Sequence, residues 1–253
     1  MKKQICTILL IFTGIVATYG QDFSLSAGVG GLLGGFFTRY TLSADGIDVN
    51  DNNIKIDANQ DMNQLNYGCL AFFDATYGVF SVYYQRGTNN YTETFEIHGS
   101  GREMPAGTGD GWDSNIGFSF LGKYPFSLNE RLTVFPMLGM DYQISIRQQR
   151  TEPDGWVYDR DDGFRDRDKD GNAYKVTDWN SAWVNLGGGV DFMITDKIFL
   201  RAELLYSFRL MTSYERKNLA LMKDISGDPS PKLGGLTSGP SIRIGAGYRF
   251  FTR

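Results

Sequence analysis

The feature that most limits what this chain can fold into is a strict two-residue alternation between Leu132 and Arg147. Leu132, Val134, Pro136, Leu138, Met140, Tyr142, Ile144 and Ile146 hold one parity. Thr133, Phe135, Met137, Gly139, Asp141, Gln143, Ser145 and Arg147 hold the other. Side chains alternate between the two faces of a strand, so the run predicts one strand with an apolar face and a mixed face. It is far longer than the ~5–6 residues of an average strand. Ile198–Leu210 and Pro240–Phe250 repeat the pattern. Phe23–Tyr40, Leu65–Ala75, Phe80–Arg86, Asn115–Tyr124 and Ala182–Ile194 fit it less regularly. No segment shows a helical period with caps, so eight strands are expected.

The connections alternate as well. Short links fall near Tyr77-Gly78, at Pro125–Arg131 and at Thr195-Asp196-Lys197. Long polar loops are expected near 43–63, 87–113, 148–179 and 213–236. That rhythm is what an up-and-down antiparallel meander gives when one end is elaborated, with both termini at the short-turn end.

Composition narrows the class. Past residue 20 no apolar run approaches the ~20 residues of a spanning helix, so a multi-helix membrane protein is excluded. The 25 Lys+Arg against 29 Asp+Glu give a net charge of -4, which argues against nucleic acid as a partner. A single histidine in 253 residues rules out a histidine-rich metal site and most histidine-based catalysis. No enzyme activity is expected. His98 reads as a surface-loop residue, because Glu96 and Ser100 beside it form no recognisable catalytic arrangement.

Residues 1–20 read as a signal peptide. Lys2 and Lys3 precede an apolar run from Ile5 to Val16, and Thr18 and Gly20 place the cut after Gly20. Residues 21–253 are then one barrel domain. Cys69 is the one cysteine outside the leader, so no intramolecular disulfide is available, and it reads as a small lipid-facing residue.

An eight-stranded meander closes either as a soluble exported ligand-binding barrel or as a membrane barrel, and the two invert each other's faces. Three observations favour the membrane form. The charge-bearing faces also carry small residues, among them Gly139, Ser145, Ser207, Ser241, Gly245 and Gly247. The apolar rows are unbroken by charge. Aromatics gather in two bands: Tyr77, Phe80, Tyr124, Phe126, Phe199, Tyr248 and Phe250 by the short turns, and Tyr91, Trp112, Trp156, Trp179, Trp183 and Tyr214 near the long loops.

The exported N-terminus and the last strand, Gly239 to Phe250 with alternate apolar residues ending in Tyr248-Arg249-Phe250, resemble the small bacterial outer-membrane β-barrel superfamily. The resemblance implies an eight-stranded antiparallel up-and-down transmembrane β-barrel with short periplasmic turns and long extracellular loops. It implies an outer-membrane location, outer-membrane lipid as solvent, and Tyr248 and Phe250 as the assembly signal read by the barrel-assembly machinery. Phe251, Thr252 and Arg253 follow, where family members usually stop at the aromatic. It implies no single activity.

Asp74, Asp141, Asp191, Glu203, Lys123, Arg147, Arg201, Arg209, Arg243 and Arg249 are expected to point into the lumen. They either line an ion path or pair and plug an interior just wide enough for side chains, and the cost of unpaired buried charge favours the plug. Asp166-x-Asp168-x-Asp170-Gly171-Asn172 is the sharpest local motif, since alternate carboxylates before a glycine can wrap calcium. The leading functional expectation is a structural or surface-interaction role, adhesion-like, through loops that meet an extracellular partner. A narrow pore or small-solute transport barrel is the alternative.

Overall fold

The computed structural model describes residues 23–49, 52–98, 103–151, 157–159, 175–210, 212, 215–217, 220 and 232–252. Ten strands follow in chain order: β1 (Ser24–Val49), β2 (Asn52–Ala75), β3 (Gly78–His98), β4 (Glu103–Lys123), β5 (Phe126–Ser127), β6 (Leu132–Thr151), β7 (Val157–Asp159), β8 (Ser181–Met193), β9 (Ile198–Arg209) and β10 (Lys232–Thr252). Eight of them are staves of a closed antiparallel ring in the order β1-β2-β3-β4-β6-β8-β9-β10, with β10 back against β1. The short β5 and β7 pair only with β6. The residues expected to form the leader lie outside the described residues.

The stagger of the ring fixes its shape. Partners followed once round the barrel lead from Tyr142 of β6 through Phe118, Val82, Ala71, Val29, Ala246, Leu200 and Phe192 to Leu132. The path returns to the same strand ten residues lower. With ordinary strand spacings, that shear over eight staves tilts them by about 40°. Each residue then climbs ~2.5 Å along the barrel axis, so ~10 residues cross a bilayer's hydrocarbon layer.

The two faces are inverted relative to a water-soluble barrel. Val29, Leu33, Leu65, Phe118, Leu138, Leu186, Leu204 and Ile244 are exposed on the outer wall, Leu138 by 61% and Ile244 by 62%. Asp74, Asp141, Asp191, Glu203, Arg201 and Arg243 are buried inside. A continuous apolar belt of this extent is unstable in water and stable in hydrocarbon. No helix among the described residues is long and apolar enough to cross a membrane. The strands do the crossing.

Aromatics edge the belt. Phe73, Phe80, Tyr124, Phe126, Tyr248 and Phe250 are exposed by the short turns, with Tyr124 and Phe126 at 4.9 Å and Phe73 and Phe250 at 6.2 Å between ring centroids. Near the other edge, the Tyr84 hydroxyl donates to Ser114 at 3.2 Å and the hydroxyls of Tyr206 and Ser238 lie 3.1 Å apart. Hydroxyls held at the rim of an apolar wall suit an interfacial position. Three residues depart from the expected bands. Phe199, Trp183 and Tyr91 are buried and face inward, because each falls on the lumen parity of its strand. Trp156 and Tyr214 lie outside the described residues.

Two expected loops are corrected. Residues 43–63 and 87–113 lack alternation and suggest loops, yet most of each continues the ladder. Ser43 pairs with Asp57 and Val49 with Asn52; Thr92 pairs with Thr108. Hydropathy alternation fades there because the outward face leaves the hydrocarbon belt, while backbone pairing goes on without it. β6 likewise runs on to Thr151, and β10 already begins at Lys232.

Candidate functional site

Among the described residues most of the buried charged side chains gather in the lumen, and it is filled in tiers. At its foot Arg201, from β9, forms a fork on Asp191 of β8: Nε donates to Oδ1 and Nη2 to Oδ2, both at 2.7 Å. Nη2 also donates to Asp74 of β2, and Lys123 Nζ of β4 reaches the same Asp74 oxygen at 2.5 Å. Glu203 lies 3.9 Å from Arg201. Aromatic rings enclose this charge. The Arg201 guanidinium lies 4.9 Å from the Phe72 ring, 5.2 Å from Phe199 and 5.3 Å from Phe135. Leu70, Val79, Leu121, Met137, Met193 and Leu205 complete an apolar core around it. The lower lumen is thus a packed interior with a charge network at its centre.

Glycines make room for these rings. A Cβ on Gly247 would fall 2.3 Å from the Phe199 ring, and one on Gly117 would fall 2.0 Å from Tyr83. Small residues on the lumen parity are therefore the seats of large ones on neighbouring staves.

Above the foot, Arg243 of β10 donates through Nη2 to Asp141 Oδ2 at 2.8 Å and through Nη1 to Ser119 at 3.2 Å. The Tyr83 hydroxyl donates to the same Asp141 oxygen at 3.0 Å and accepts from Gln143 at 3.1 Å, and Gln85 donates to Gln143 at 3.3 Å. Higher still, Gln64 donates to Asp113 at 2.8 Å, and Phe36 packs on Trp183 with centroids 4.8 Å apart. Asp141 Oδ1 and Asn185 Nδ2 have no protein partner and line a cavity of ≈ 20 Å³. That has room for about one water and none for a hydrated ion.

At the outer end a short turn is tied to the barrel wall. Glu215 accepts from Arg209 Nη2 at 2.8 Å, from the Tyr40 hydroxyl, and from the Thr212 backbone N–H at 2.6 Å. Lys217 of the same turn donates to Asp178 at 2.9 Å, tying it to the 3-10 turn Val176–Trp179. Outside the belt, Arg39 and Asp61 form an exposed pair at 2.8 Å, and that hydrogen bond holds the Asp61 carboxyl below the usual carboxylate range.

Nine of the ten charges expected in the lumen lie on its side. Arg249 stands at the foot, its Nη2 3.6 Å from Met193 Sδ. Arg147 is corrected: it is exposed on the outer wall. Asn115 pairs with Ser145 but Ser114 with Arg147, so Ile146 is a bulge that reverses the parity above it. The Arg147 guanidinium lies 5.5 Å from the outward Trp112 ring. Tyr248 and Phe250 face outward on the last stave, and Cys69 is exposed on the belt. His98 ends β3, paired with Lys55. Asp166, Asp168, Asp170 and Asn172 lie outside the described residues.

Tyr83, Asp113 and Glu215 join the lumen networks beside the ten expected charges. Tyr83 and Asp113 were reachable, since each shares parity with an inward residue of its strand. Glu215, in a loop without periodicity, carried no signal.

No family model and no curated protein matches the chain. Solved structures similar to it include three bacterial outer-membrane proteins. Ail, the attachment invasion locus protein of Yersinia pestis, is 14% identical over 90% of this chain and 98% of its own, at a TM-score of 0.27. The outer membrane protein OprG of Pseudomonas aeruginosa is 12% identical over 89% and 97%, at 0.33. The outer membrane protease OmpT of Escherichia coli is 7% identical over 90% and 97%, at 0.31. The class of this protein rests on its own two faces: a closed, eight-stave β-barrel with an apolar outer wall and a charged, packed interior is a transmembrane β-barrel.

Proposed function

We propose that this chain is an integral barrel of the bacterial outer membrane that acts as a closed anchor and meets its surroundings through its outer end. The observation that carries the reading is the lumen, where the Arg201 and Arg243 networks, the aromatic core and the Glu215 turn follow one another from foot to mouth. The cavity beside Asp141 and Asn185 holds about one water, which disfavours transport through the described lumen. The hairpins β1–β2 and β3–β4 continue past the belt and supply a surface for an extracellular partner. The leader-like N-terminus, cut after Gly20, and the outward Tyr248 and Phe250 support export and delivery by the barrel-assembly machinery.

Planar-bilayer recording tests the closed lumen. The purified protein should give no steady conductance at neutral pH, and steady openings would overturn the anchor reading. Protease added to intact cells tests the orientation: cuts should fall between residues 90 and 110, leaving a membrane-bound remainder. Cuts confined to the short turns would reverse it.

A further inference from the structure

We infer that the outer wall carries a phosphate-binding site for lipid headgroups, built from Arg86, Arg147 and Trp112; the inference rests on the membrane reading above. The row is set by strand pairing. Arg86 of β3 is the partner of Ser114 of β4, and Ser114 is the partner of Arg147 of β6. Two arginines therefore flank one hydroxyl across three adjacent staves. Trp112 stands one outward step above Ser114. The Arg86 guanidinium lies 4.3 Å from its ring, that of Arg147 5.5 Å, and its indole N–H donates to Gln149. Stacking engages the face of a guanidinium, whereas its five N–H donors lie in the plane and match phosphate oxygens. The indole thus gathers two guanidinium groups at one point of the wall, a donor set suited to a phosphate, while Ser114 between them is buried and accepts from the Tyr84 hydroxyl.

The height of the row identifies the source of the phosphate. Gly78 pairs with Gly122, and Lys123 with Met137, at the feet of the three staves. Arg86 is eight residues above Gly78, Ser114 nine above Lys123 and Arg147 ten above Met137. Those steps match the ~9–11 residues a tilted strand needs to cross hydrocarbon. Directly below lie the exposed Tyr84, Ile116 and Ile144; the next outward position above Trp112 is the exposed Asp110. The order apolar, arginine, carboxylate is the order hydrocarbon, headgroup phosphate, water. A lipid whose acyl chains lie on the belt carries its phosphate to the arginine row.

Native mass spectrometry of the full barrel in maltoside detergent, which has no phosphate, tests this. The probes are phosphatidic acid, diacylglycerol with the same chains, and inorganic phosphate. Phosphatidic acid should stay bound to the native protein, and Arg86→Gln with Arg147→Gln should weaken it about tenfold or more. Arg39→Gln, elsewhere on the outer wall, should leave it unchanged. Equal retention by the double variant, or equal retention of diacylglycerol, overturns the site. Displacement of the lipid by equimolar inorganic phosphate overturns the lipid as its ligand. Heat-modifiable migration is recorded for every variant: a shift without selective lipid retention refutes the site alone, and a native protein with no shift refutes the barrel beneath it.

Discussion

Arg201 faces three carboxylates and three aromatic rings with its side chain 3% exposed. The arrangement shows why the lumen is filled in pairs. Removing the guanidinium leaves Asp74 and Asp191 without their main counter-charge in a packed interior, and breaking a buried pair from one side costs about 3–5 kcal/mol. Arg201→Ala should therefore lower the temperature at which the barrel loses its fast-migrating form in detergent. Arg201→Lys keeps the charge but loses the two-pronged contact with Asp191, so it should fall between the two. Equal midpoints for all three proteins would show that the network carries no stability. The sequence made this legible in part: the parity of β9 placed Arg201 and Glu203 together. The aromatic enclosure was hidden, because Phe199 was grouped with the surface aromatics by its nearness to a turn.

At the level of strands, period two located all eight staves, since each has one face in hydrocarbon that tolerates no charge. It failed in two identifiable ways. Beyond the belt, β1–β2 and β3–β4 stay paired where hydropathy no longer alternates, so pairing there left no imprint on composition. At Ile146 one extra residue turned Arg147 from inside to outside, and hydropathy alternation, which runs unbroken through Ser145, Ile146 and Arg147, cannot announce the bulge. The mouth was likewise invisible, being held by single contacts from a loop. Those contacts make a prediction. Glu215→Ala removes the acceptor of Arg209, Tyr40 and the Thr212 N–H together. Limited proteolysis between residues 211 and 231 should then speed up several-fold at unchanged heat-modifiable migration. An unchanged cleavage rate would show that Glu215 does not hold the turn.

For the molecule as a whole, the apolar belt calls for hydrocarbon as its solvent, and Cys69 reports on it. Its thiol lies on the belt between Tyr67 and Ala71. In phospholipid vesicles it should resist a charged, water-soluble maleimide and react fully once the protein is boiled in detergent. Rapid labelling in intact vesicles would place that wall in water. The ring also has a consequence in time. Every other pair of neighbouring staves follows directly along the chain of the barrel, but β1 meets β10 across more than two hundred residues, Ser24 against Thr252 at the foot. That seam has no turn from which to zip. Until it joins, two margins of the sheet carry unpaired N–H and C=O groups, each costing several kcal/mol in hydrocarbon. A half-made ring cannot wait inside the lipid. The meeting of the chain's two ends is therefore the step on which a sheet without open margins in lipid depends.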